Sequence, residues 1–147
     1  CAALAIKNLD DRQFKKAVLV LTTGMNIFLF ISYVWPTGLD FRESIVYDLH
    51  TLSGNLLKFV QTVDTPKSVF PSMHVYVTLV LQYTLEMQKK LVPAWGIWVG
   101  RVLAVLIVLS TMFTKQHSAV DVTAAIVMFA VLALAAEKLV KEPKEGN

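Results

Sequence analysis

From Ala17 to Trp35 the chain runs nineteen residues without a charged side chain. At about 1.5 Å per helical residue such a run covers roughly 28 Å, close to the ~30 Å hydrocarbon core of a bilayer. Backbone polar groups in lipid must be satisfied within the segment, and a helix does this by itself. Tyr33 and Trp35 stand at the far end, where amphipathic aromatics favour the membrane interface. Pro36 and Gly38 then stop the helix. The run points to an all-α, polytopic membrane helical bundle. Composition agrees: 55% of the 147 residues are hydrophobic, against roughly 45–50% in soluble domains even with glycine counted.

Three more apolar stretches follow, Ser72–Met87, Trp95–Phe113 and Ala119–Ala136, so the reading is of four transmembrane helices. The Ser72–Met87 stretch is short of apolar residues at both ends and needs shelter from its neighbours. Arg101 is expected to snorkel toward the boundary marked by Trp95 and Trp98. Between the first two stretches, Ser44–Val60 places Ile45, Leu49, Leu52, Leu56 and Phe59 roughly on one helical face. Asp48, His50, Asn55 and Lys58 interrupt that pattern, which predicts a short interfacial or re-entrant helix and not a span. Asp64–Ser68 reads as a loop. Cys1–Lys16 reads as an interfacial lead-in and Glu137–Asn147 as a charged, solvated tail. The 147 residues make one membrane-embedded domain. A chain that begins at Cys1 and not at methionine reads as a piece of a longer protein. Its single cysteine excludes an internal disulfide and a cysteine metal cluster.

The isoelectric point near 9.0 does not signal a nucleic-acid partner, because the basic residues flank apolar runs and form no patch. In a four-span chain, ten of the fourteen Lys and Arg residues fall on one side. Arg42, Lys58, Lys67 and Lys115 fall on the other. The positive-inside rule makes the first side cytoplasmic. His74, His117 and Asp121 then share the extracytoplasmic face.

Those three residues are the candidates for chemistry. A histidine with an aspartate four residues later shares one helical face with it. From there the carboxylate of Asp121 can hold one imidazole nitrogen of His117 and leave the other free to act. His74 opens another helix, whose first-turn N–H groups near Ser72 and Met73 suit phosphate oxygens. Lys115 and Arg42 supply cations that neutralise a phosphate. One imidazole can attack phosphorus while the other protonates the leaving oxygen. His50 lies among polar helix residues and is given no role.

The same residues resemble the type 2 phosphatidic acid phosphatase superfamily, which embraces lipid phosphate phosphatases and vanadium haloperoxidases. Pro71-Ser72-Met73-His74 is similar to its P-S-G-H element, with methionine for glycine. Ser110–Asp121 is similar to its S-R-x5-H-x3-D element, with Ser110, His117 and Asp121 in register and Thr111 in place of the arginine. Trp35 through Arg42 falls where its K-x6-R-P element belongs, with Trp35 for the lysine and Glu43 for the proline. The wording around Asp64-Thr65-Pro66 and Phe70–His74 is similar to a bacterial branch. The motifs cover roughly Val34 to Val122. Members commonly have six spans, so the resemblance implies that two N-terminal helices precede this chain in the whole protein.

The resemblance also implies roles. His117 would be the nucleophile that becomes phosphorylated, Asp121 its supporting carboxylate and His74 the general acid. Arg42, Ser110 and the Ser72–Met73 backbone would hold phosphate. From their placement alone, and not from the resemblance, Lys115 and Lys67 would stand in for the two replaced cations. The implied activity is metal-independent hydrolysis of a lipid phosphate or diphosphate monoester, with no cofactor. Two rivals stand beside it. A lipid phosphotransferase would pass the phosphoryl group to an alcohol. A non-enzymatic helical protein would bind haem through His74 and His117 or serve a structural role.

Overall fold

A computed structural model of the chain describes residues 11–35, 48, 50–63, 70–89, 91–114 and 117–140. Among them are five helices: α1 (Asp11–Val34), α2 (Leu52–Val63), α3 (Met73–Met87), α4 (Ala94–Phe113) and α5 (Ala119–Leu139). The described residues contain no strand.

Three of these helices are long and apolar enough to cross a membrane: α1 from Arg12, α4 and α5. Their outward faces are apolar, as Leu29 and Phe30 on α1, Leu103 and Leu106 on α4, and Val127 and Leu134 on α5 show. Exposed apolar surface of this extent is what a hydrocarbon solvent requires.

The expected fourth span is not among them. Helix α3 has 15 residues, which reach only about 22 Å at 1.5 Å per residue. It is instead the central helix of the bundle, packing against α1, α4 and α5, while α1 also packs against α5. That burial gives α3 the shelter its Gln82, Glu86 and threonines need.

The core is built around Tyr76. Its ring is fully buried beside Val20, Val75, Val80, Val122 and Ala125, and it meets the Phe129 ring edge-on at 6.4 Å between centroids. The Tyr76 hydroxyl donates to the carbonyl of Val20 on α1. Gly24, one turn along α1, is buried against that ring, where any side chain would collide with it. Gly100 does the same for α4: a Cβ there would lie 2.6 Å from Gln82 Oε1 and 2.7 Å from Leu85 Cδ2. Small residues let helices approach closely where lipid supplies no hydrophobic drive between them.

One end of the bundle is fastened by charge. Lys16 on α1 pairs with Glu137 on α5, and the Tyr83 hydroxyl donates to Glu137 Oε1 at 2.6 Å. Gln13 Nε2 donates to the Met87 carbonyl at 3.0 Å. Arg101 does not merely snorkel: its Nε donates to Glu86 Oε1 at 2.9 Å, and its guanidinium lies 5.1 Å from the Trp98 ring centroid. These contacts set neighbouring helices antiparallel, α1 against α3 and α5, and α3 against α4.

Helix boundaries also differ from the sequence reading. Helix α1 begins at Asp11, inside the expected lead-in, and α5 continues to Leu139, past the start of the expected tail. Polar ends extend both helices because Lys16 and Glu137 satisfy each other. The short helix sits later than Ser44–Val60. A turn at 48–51, in which Thr51 N–H donates to the Asp48 carbonyl at 3.2 Å, precedes it. Its Leu52, Leu56 and Phe59 are exposed together. Residues 44–47 and 49, and the Asp64–Ser68 loop, lie outside the described residues.

Candidate functional site

At the opposite end of the bundle, the start of α3 meets the turn between α4 and α5. Helix α3 begins because Ser72 caps it. The Ser72 side chain accepts the Val75 N–H at 3.4 Å, and residue 72 itself is extended, with φ −66° and ψ 110°. Ser72 also donates its backbone N–H to the Asp121 carbonyl at 3.2 Å. That one bond fixes the first turn of α3 to the first turn of α5.

Helix α5 begins in a capping box. Ser118 accepts the Asp121 N–H, and the Asp121 Oδ2 accepts both the Ser118 N–H at 2.7 Å and the Ser118 hydroxyl at 2.8 Å. Each partner satisfies a donor that the helix start would otherwise leave open. The carboxylate also lies where the positive end of the helix dipole favours it. One residue before this box, the His117 N–H donates to the Thr111 carbonyl at 3.2 Å, closing the turn back onto α4.

These two fastenings bring His74 and His117 together across 43 residues of sequence. The His74 Nδ1 and the His117 Nε2 face each other at 3.3 Å, with ring centroids 5.6 Å apart and planes tilted by 59°. Their surroundings differ. His117 is buried, at 8% exposure, and so is Asp121, at 7%. His74 is exposed. One imidazole is therefore held in the protein while the other can move.

The remaining sequence candidates divide. Met73 is half-buried in the first turn of α3. Ser72 is fully buried, with its N–H already given to Asp121. Ser110 is exposed, its hydroxyl donating to the Ile107 carbonyl at 2.8 Å. Thr111, at the position of the motif arginine, is buried, and its hydroxyl donates to the Val108 carbonyl at 2.8 Å. Arg42, Lys67 and Lys115 lie outside the described residues. Two positioning residues were missed in the sequence. Ser118 carries a readable signal, since Ser118-x-x-Asp121 fits the capping-box pattern. Thr111 acts through its carbonyl and carries none.

Comparison of the chain with family models, with curated proteins and with solved structures finds no match.

Proposed function

We propose that the protein is an integral membrane phosphatase that hydrolyses a lipid phosphate or diphosphate monoester through a phosphohistidine. The observation that carries this reading is the 3.3 Å approach of His74 Nδ1 to His117 Nε2. It puts two imidazoles of unlike exposure at the ends of two helices whose backbones are bonded together.

In the first step the Nε2 lone pair of His117 attacks phosphorus. The bond from phosphorus to the lipid oxygen breaks, and His74 Nδ1–H gives that oxygen its proton. In the second step His74 takes a proton from water, the water oxygen attacks phosphorus, and the bond to His117 breaks. Asp121, one turn along, supports the positive charge that grows on His117. The first-turn N–H groups of Met73 and His74 would bind a phosphate oxygen. Arg42, Lys115 and Lys67, with Ser110, would add to its binding.

The step needs more room than the resting pair leaves. An attacking nitrogen lies about 3–3.5 Å from phosphorus, and an acid lies about 2.6–3.2 Å from the leaving oxygen. The two nitrogens must therefore separate beyond 3.3 Å. His74, being exposed, is the ring that swings.

On the positive-inside rule this end is extracytoplasmic, since Arg12, Lys15, Lys16, Lys89 and Lys138 gather at the other end. Helix α2, with its exposed apolar face, lies at the interface. A phosphotransferase uses the same first step with an alcohol in place of water.

The test is phosphate release from a panel of lipid phosphates in detergent, with and without chelator, joined to rapid-quench labelling. Turnover that survives chelation and a label that maps to residue 117 are expected, with His117→Ala losing both. A label that persists in His117→Ala, or maps to His74, defeats the assignment. A Soret band in the purified protein with no phosphate release would favour haem binding instead.

A further inference from the structure

The two imidazole nitrogens lie within hydrogen-bond reach of each other, at 3.3 Å, and the same separation suits a second role. It matches the edge of a coordination tetrahedron. Two metal–nitrogen bonds of about 2.0–2.1 Å, at the tetrahedral angle of about 109°, place their nitrogens about 3.3–3.4 Å apart.

We propose that His74 Nδ1 and His117 Nε2 are two ligands of a site for a borderline divalent transition-metal cation, Zn2+ foremost, and that its occupation shuts the site to phosphate. Neutral imidazole suits zinc, copper and nickel, whereas Mg2+ demands oxygen ligands. Among the described residues no third His, Cys, Asp or Glu joins the pair, so water or an anion fills the remaining corners. The buried carboxylate of Asp121, four residues from His117, adds negative charge on the same helix end. The site is reachable, because His74 is exposed.

Metal and phosphate need opposite geometries. The metal holds the nitrogens at the separation they already have, while a phosphoryl group must part them. A bound cation also occupies the Nε2 lone pair with which His117 would attack. The exclusion of phosphate rests on the phosphatase reading; the binding of metal does not.

The experiment is a titration of the whole chain in detergent micelles with Co2+ and with Zn2+, no substrate present, followed by absorbance and calorimetry. A Cys1→Ser background removes the one thiol that also binds these ions. One ion per chain is expected, with tetrahedral Co2+ absorption that Zn2+ abolishes and Mg2+ leaves alone. Loss of a group that merely orients a ligand costs metal sites roughly 10–100-fold in affinity. Losing one of two protein ligands, in His74→Ala or His117→Gln, should cost at least that. His50→Ala, which removes the third histidine, should cost nothing. Equal affinity in all three variants, or loss in His50→Ala alone, overturns the site. Because His74 is exposed, His74→Ala reports on the site even if His117→Gln folds poorly. Vanadate should compete with Zn2+, and simultaneous binding of both overturns the exclusion while leaving the metal site standing. A chain that binds Zn2+ through these histidines but releases no phosphate from any lipid overturns the phosphatase reading alone.

Discussion

Gly24→Ala tests the helix packing on which the site depends. In an isolated helix the change stabilises by about 1 kcal/mol, since alanine loses less backbone freedom than glycine. In this bundle the new methyl group would fall inside van der Waals contact of Cζ, Cε1 and Oη of Tyr76. The ring has nowhere to go, because it is fully buried and its hydroxyl bonds the Val20 carbonyl. Overpacking of a filled core costs typically about 1–3 kcal/mol, so Gly24→Ala should be neutral to about 2 kcal/mol destabilising. The decisive comparison is made in a Tyr76→Leu background. Leucine lacks the outer ring atoms, so the methyl enters space that the first substitution opened. There Gly24→Ala should stabilise by about 1 kcal/mol, and the coupling between the sites should be about 1–3 kcal/mol. Circular dichroism during unfolding in mixed micelles, for all four proteins, measures it. If Gly24→Ala changes stability equally in both backgrounds, α1 and α3 do not meet as described.

Three other outcomes are expected. Ser118→Ala removes a cap hydroxyl and one of the bonds that hold Asp121; it should cost about 1 kcal/mol in the same unfolding assay, with Ser118→Thr recovering most of it. Lys115→Ala and Arg42→Ala should each weaken vanadate binding and turnover roughly ten- to a hundredfold, since a charge-assisted bond contributes about 1.5–3 kcal/mol; unchanged affinity in Lys115→Ala makes that residue an interface charge and nothing more. A thiol at Ser68 or Gln116 should react with an impermeant reagent from outside intact cells, while one at Lys89, exposed at the other end, should not; the reverse pattern puts the histidines in the cytoplasm.

What the sequence disclosed followed from patterns that are local. The uncharged run after Lys16, and the runs that became α4 and α5, reveal themselves because lipid demands continuous apolar stretches. The stretch that became α3 was misread as a span for the same reason. Hydropathy measures how apolar a segment is but not what surrounds it, and α3 is covered by protein on several sides. The ion pair of Lys16 with Glu137 joins residues far apart in sequence, so no local rule could extend α1 and α5 to meet it. The site was half legible. His74, His117 and Asp121 were singled out by spacing, and they do gather at one end of the bundle. Hidden were the partners: the Asp121 carboxylate accepts from Ser118, and the group facing His117 Nε2 is His74. An i, i+4 pair says which residues share a face, but competition from a nearer donor decides which bond forms.

The fastenings of the two bundle ends are of different kinds, and this separates chemistry from folding. At the charged end, side chains do the fastening: Glu137 and Glu86 tie α1, α3, α4 and α5 through Lys16, Tyr83 and Arg101. At the histidine end the link from α3 to α5 is backbone to backbone, from Ser72 N–H to the Asp121 carbonyl, and the turn closes through the His117 N–H on the Thr111 carbonyl. Neither bond uses an imidazole. Replacing His74 or His117 therefore removes one of the two facing imidazoles while the peptide groups that set their positions remain. Replacing Ser118 does the reverse, loosening the start of α5 with both imidazoles intact. The two classes of variant must part in experiment: His74→Ala should lose function with its unfolding midpoint kept, and Ser118→Ala should lose midpoint with its residual activity still dependent on His117. If His74→Ala instead unfolds as early as Gly24→Ala, the exposed imidazole is a packing element and the fastening described here is incomplete.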